Sequence, residues 1–246
     1  MNLEREALNN EPIKPLKPLI ENYFAKLATT FEKHADPLVA ANAKAYMRNK
    51  SEFYGLPSPL RKQLLAECIA KSGYPKYAEF NEMIRFAWEQ PQREWQYIAM
   101  EIVAKFVKKA EPDLIDLAEW MIIHKSWWDS VDFVAPNIAG LLFNKFPETR
   151  MHYIEKWMQS GNLWLQRSCL IHQLRYNKTA DRDLLFNLCE RLASHPDFFI
   201  RKAIGWSLRQ YSKAYPEAVI GFVNSHEFSN LSRKEALKVL VRKKTV

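Results

Sequence analysis

From Leu19 onward apolar residues return at intervals of three and four, and Pro, Gly or Asn interrupts the pattern every 12 to 22 residues. That period belongs to amphipathic helices, and strand-like alternation is scarce. The pattern predicts helices over 19–33, 36–49, 58–71, 76–90, 92–109, 112–124, 126–145, 147–159, 163–176, 181–194, 196–213, 216–225 and 231–243. Paired helices of this length with short links predict an all-α fold, a right-handed α-solenoid of HEAT-like helical repeats with a concave face. An irregular all-α globule is the alternative. Ser58-Pro59 and His195-Pro196 place proline at a first turn, and Ser232 to Glu235 reads as a capping box. Residues 1–18 hold Pro12, Pro15 and Pro18 and read as a Pro-rich leader before a single domain over 19–246.

Composition narrows the chemistry. With 48% hydrophobic residues among 246, the chain can fill a core, so disorder is not expected. Its 6 glycines are never closer than 16 residues apart, so no phosphate-cradling loop of the dinucleotide or P-loop type can be written. Cys68, Cys169 and Cys189 form no C-x-x-C, which suits a reducing, cytoplasmic setting, nucleoid-associated in a bacterium. The six histidines make no H-E-x-x-H and no i, i+4 pair, so no one-helix zinc site is expected and neither is a cofactor. No apolar run approaches a membrane span, so a soluble monomer is expected. The charge balance, 36 Lys plus Arg against 28 Asp plus Glu, gives +8 and favours an anionic partner such as nucleic acid.

Three predicted helices carry side chains on unexpected faces. On a wheel of about 100° per residue, Trp127, Val131, Val134, Ile138 and Leu141 share the core side. Trp128 and Asp132, four apart, stand together roughly 110° away. Asp129 can serve Ser126 in a capping box, but Asp132 lies beyond the first turn, where neither cap nor helix dipole favours a carboxylate. Its alternative is an ordinary solvent-facing residue. Arg167 sits within about 60° of Leu163, Trp164, Leu170, Ile171 and Leu174, so its guanidinium must be paired or must reach a cleft. An ion pair between neighbouring repeats and a role in phosphate or carboxylate recognition both remain open. In the third helix Ile200, Ala203, Ile204, Ser207, Leu208 and Tyr211 face the core. Trp206 lies about 120° away among Lys202, Arg209, Gln210 and Lys213, as an aromatic in a cationic stripe suited to nucleic acid.

Between about Ala45 and Leu240 the chain resembles the DNA alkylation repair proteins, HEAT-like-repeat DNA glycosylases of the AlkD type. The resemblance rests on Lys-Ser-Trp-Trp-Asp-Ser-Val-Asp (125–132), Trp-Leu-Gln-Arg (164–167) and Phe-Phe-Ile-Arg-Lys-Ala-Ile-Gly-Trp-Ser-Leu-Arg (198–209). Tyr-Met-Arg-Asn-Lys (46–50) and Leu-Ser-Arg-Lys-Glu-Ala (231–236) support it at the ends. It implies a cleft lined by Trp128, Asp132, Arg167 and Trp206 on the concave DNA-binding face. Some non-catalytic relatives have lost the aspartate, and Asp132 argues against that outcome. The leader exceeds what the family core needs.

The resemblance further implies base excision repair of double-stranded DNA by hydrolysis of the N-glycosidic bond of cationic N3- or N7-alkylated purines, such as 3-methyladenine and 7-methylguanine. Bulky adducts would be tolerated because the base is not flipped. Such a base is already a good leaving group, so one carboxylate near the oxocarbenium-like sugar suffices. At about 4 Å and an effective dielectric of 20, Asp132 would contribute up to roughly 4 kcal/mol. Trp128 and Trp206 would face the sugar and the cationic lesion, and Arg167 a phosphate. Lys202, Arg209, Lys213, Arg175 and Tyr46 would contact the DNA, and five or six phosphate contacts imply a salt slope of roughly −5. A non-catalytic HEAT-repeat module binding nucleic acid or protein is the competing reading, and it predicts binding without base release.

Overall fold

Amphipathic periodicity becomes helix along nearly the whole described chain. The structure, a computed structural model that describes residues 16–73 and 77–243, contains α1 (Leu16–Lys33), α2 (Pro37–Tyr46), α3 (Ser58–Ser72), α4 (Tyr77–Glu89), α5 (Arg93–Phe106), α6 (Leu114–Ile123) and α7 (Trp128–Val134). Beyond these come α8 (Gly140–Lys145), α9 (Pro147–Gln159), α10 (Leu163–Ile171), α11 (Arg182–Arg191), α12 (Phe198–Tyr211), α13 (Pro216–Ser225) and α14 (Asn230–Lys243). Among the described residues the one extended pairing is an isolated bridge, Glu52 to Gln92. No described helix is long and apolar enough to cross a membrane. The chain divides into two compact units, Met1–Ala99 and Met100–Val246.

In the first unit Ile20, Phe24, Leu27 and Phe31 of α1 recur at helical spacing and are buried. Phe24 and Phe31 pack on Trp95 of α5, with ring centroids 5.5 and 5.4 Å apart. Glu94, also buried, accepts the amides of Tyr54, Gly55 and Leu56 and so ties the loop before α3 to α5. Gly55 has φ +85°, and a Cβ there would lie 2.2 Å from the Asp36 carbonyl oxygen, so only glycine fits. The Pro-rich leader falls outside the described residues up to residue 15. From Leu16, three residues earlier than expected, the chain is already helical, and Pro18 sits in the first turn, where a missing N–H breaks no helical bond.

In the second unit α7, α10, α12 and α14 pack one beside the next, and α9, α11 and α13 alternate with them along the chain and pack against that row. From α10 onward each reversal therefore returns a helix beside the one before last, which is how a helical repeat stacks its hydrophobic faces. The all-α repeat fold is the one the periodicity predicts.

The interruptions were not anticipated. Predicted helix 126–145 is three pieces, because Ala135–Ala139 forms a π turn in which the Gly140 amide reaches back five residues to the Ala135 carbonyl. Pro136, within that turn, has no amide to donate. The inserted residue rotates everything after it, so Leu141, expected on the core side, is only part-buried while Leu142 and Phe143 are fully buried. Predicted helix 163–176 ends at Ile171 and tightens into a 3-10 turn, His172–Arg175. Gly140 lies against that turn, with the place of a Cβ 2.1 Å from the His172 carbonyl oxygen.

Three expected helix starts are corrected as well. The Ser126 hydroxyl donates to the Ile122 carbonyl, and α7 begins without a side-chain cap, so Ser126 and Asp129 form no capping box. Ser232 lies inside α14, where Ser229 accepts its amide and its own hydroxyl donates to the Arg201 carbonyl. Asp197, not Pro196, starts α12, by accepting the Phe199 amide.

Candidate functional site

The row α7, α10, α12, α14 carries Trp128, Asp132, Arg167 and Trp206, together with Lys202 and Arg209. Asp132, in the second turn of α7, projects toward α10, and Arg167 of α10 answers it. Arg167 Nε donates to Asp132 Oδ1 at 2.7 Å and Nη2 donates to Oδ2 at 2.8 Å, the bidentate geometry that a guanidinium offers a carboxylate. Arg167 Nη1 donates to the Phe199 carbonyl at the start of α12, and its guanidinium carbon stands 5.8 Å from the Phe199 ring centre. The ion pair foreseen as one of two readings of Arg167 is thus present, and it ties three neighbouring helices together.

Burial is unequal within the pair. The Arg167 side chain keeps 5% of its surface, the Asp132 side chain 19%. The aspartate is the member that can meet a ligand. Burial pushes the Asp132 carboxyl above the usual carboxylate range, and the Arg167 hydrogen bond and charge oppose that rise. Without the guanidinium the carboxyl would rise further.

An aromatic wall that the wheel missed backs the pair. Trp127, Trp164 and Phe199 meet at centroid distances of 5.8, 5.3 and 5.0 Å, and Phe198, 55% exposed, edges onto Phe199. These residues are adjacent only once α7, α10 and α12 are stacked, so no single-helix projection could join them. Trp128 is part-exposed one turn before Asp132, and Trp206 is part-exposed on α12. On α12, all six residues expected in the core are buried, which leaves Trp206 on the flank between Lys202 and Arg209 as the wheel predicts.

The expected phosphate contacts are already engaged within the molecule. Lys202 Nζ lies 3.0 Å from Glu235 Oε1, and Arg209 donates to Glu235 Oε2. Lys213, just past the end of α12, donates to Gln210 Oε1 at 2.6 Å. Arg175, exposed on the 3-10 turn, donates to Asn137 Oδ1 in the π turn. Tyr46 ends α2 of the first unit and is 70% exposed. No cluster of His, Cys, Asp and Glu suited to a metal ion occurs among the described residues.

A family model described as DNA alkylation repair enzyme matches residues 27–240. The chain belongs to the DNA alkylation repair enzyme family. A solved structure described as a predicted DNA alkylation repair enzyme from Enterococcus faecalis is similar to it with a TM-score of 0.79 and 28% identity, covering 85% of this chain and 97% of that one. Among curated proteins nothing matches. Membership of this family makes the chain an enzyme of DNA repair.

Proposed function

We propose that this DNA alkylation repair enzyme is a glycosylase that hydrolyses the N-glycosidic bond of positively charged N3- or N7-alkylated purines in duplex DNA. The observation that carries the reading is Asp132, a part-exposed carboxylate that accepts from Nε and Nη2 of Arg167. A protein that merely holds phosphates gains nothing from an anion there, since it would repel them. A cationic lesion changes the balance. Its base leaves as a neutral group without protonation, and the positive charge that develops on the deoxyribose is what Asp132 stabilises.

The surroundings have matching tasks. Arg167 keeps Asp132 ionised and fixes its direction, which makes it a positioning residue rather than the phosphate ligand that the resemblance implied. Trp128 and Trp206 offer ring faces to the sugar and the cationic base. Lys202, Arg209, Lys213 and Arg175 take phosphates, and the lesion reacts without leaving the helix stack, so bulky adducts remain substrates.

The test is single-turnover release of 7-methylguanine from a labelled duplex, comparing the native chain with Asp132→Asn at equal binding saturation. Release is expected to fall by two to three orders of magnitude in the variant, in line with up to roughly 4 kcal/mol from one carboxylate, with binding retained. A native protein that binds the duplex yet frees neither 7-methylguanine nor 3-methyladenine overturns the glycosylase and leaves a binding module.

A further inference from the structure

Glu235 stands where a basic DNA-binding surface has least use for an acid. It comes from α14, whose close approach to α12 depends on Gly205. A Cβ on residue 205 would lie 2.4 Å from the Glu235 Cβ and 2.8 Å from the Ser232 carbonyl oxygen. Through that gap Glu235 reaches two cations seven residues apart on α12, one per oxygen, with Lys202 on Oε1 at 3.0 Å and Arg209 on Oε2. Lys238 of its own helix stands 4.0 Å from Oε1. Trp206 lies between the two cations in sequence and on the same flank.

A carboxylate that offers one oxygen to each of two cations makes the same demand as the two non-bridging oxygens of a phosphodiester. Helix docking does not require it. The α12–α14 contact already has the Gly205 gap, the buried Ala236 and the Ser232 hydroxyl on the Arg201 carbonyl. The carboxyl is held below its usual range by Lys202 foremost and by Arg209.

We propose that Glu235 is a built-in stand-in for a DNA phosphate, holding Lys202 and Arg209 flanking Trp206 until a phosphate displaces it. This deepens the reading above and rests on its duplex-binding half. Undamaged DNA must compete with an internal anion, so Glu235 lowers affinity for duplex in general.

The experiment titrates a short undamaged labelled duplex with the full chain over a series of salt concentrations, with Glu235→Gln as the variant. With no internal anion left to displace, the variant is expected to bind about fivefold tighter or more. In a Lys202→Met, Arg209→Met background the same substitution should give no gain, because nothing is left to release. Thermal melting accompanies each variant, and if the Gln form melts early, Glu235→Met carries the same expectation. Unchanged or weaker binding by the uncharged variants, or a gain that survives in the double background, overturns the proposal alone. Absence of salt-dependent duplex binding in the unsubstituted chain overturns the reading beneath it and the proposal together.

Discussion

Asp132 and Arg167 are worth more to each other than to the fold. Removing one member of a buried ion pair strands the other charge, at about 3 kcal/mol or more. Asp132→Ala should therefore lower the unfolding free energy by that order in a denaturant titration, and Asp132→Asn by less, since Asn keeps an acceptor for Arg167. Equal losses in the two variants would mean that the guanidinium finds another partner. Arg167→Met should depress base release through Asp132, because the raised carboxyl then protonates more easily. Its signature is an acid limb of the rate profile displaced to higher pH. His172 titrates with the opposite sign. Fully buried, with Nδ1 on the Cys169 carbonyl, it is pushed down to about 4, mainly by burial. The unfolded chain binds that proton near 6.5, so stability present above 6.5 is lost as pH falls toward 4, by up to about 3 kcal/mol. Asp132, with its raised carboxyl, acts the other way and loses stability as pH rises. The difference between native and His172→Phe in urea unfolding at pH 7 and pH 4.5 isolates the imidazole, and parallel curves at the two pH values would remove it as the cause.

At the scale of the element, the wheel read α12 correctly because that helix is continuous from Phe198 to Tyr211, so a fixed angle per residue holds from end to end. The same projection failed at Leu141 because the π turn at Ala135–Ala139 resets the phase, and nothing in a hydrophobic pattern announces that insertion beyond Pro136 itself. Candidate site residues stood out in the sequence where a side chain lay on an unexpected face of its own helix, as Asp132, Arg167 and Trp206 do. Glu235 and Phe199 were not, since each gains its meaning from a partner on another helix and looks ordinary on its own. The π turn and the 3-10 turn meet at Gly140, where a methyl group would collide with backbone at 2.1 Å, and the Tyr176 hydroxyl donates to the Gly140 carbonyl. Backbone cannot yield as a flexible side chain does. Gly140→Ala should thus destabilise by at least the 1 to 3 kcal/mol typical of overpacking, roughly. It should also disturb Asn137 and Arg175, which bridge the same two turns. A melting temperature within a degree of native would show that the junction relaxes freely.

For the whole molecule, charge decides what can be tested before any chemistry. A net +8 is a diffuse attraction that any polyanion can use, whereas a DNA repair enzyme must register its surface on phosphates at fixed places. The sequence supplied the balance but not the pairing, and the pairing changes the expectation. Lys202 and Arg209 are held by Glu235, and Lys213 and Arg175 by neutral amide oxygens that give way more readily. Four displaced phosphate contacts predict that log K for a duplex falls with log salt at a slope of roughly −4, somewhat shallower than five or six free cations would give. Lys213→Ala and Arg175→Ala should each reduce that slope by about one, as single phosphate contacts do, with base release at saturation lowered little because neither touches Asp132. A slope near zero in the native chain, or one insensitive to both substitutions, would move the DNA to a different face of the protein and detach Asp132 from it.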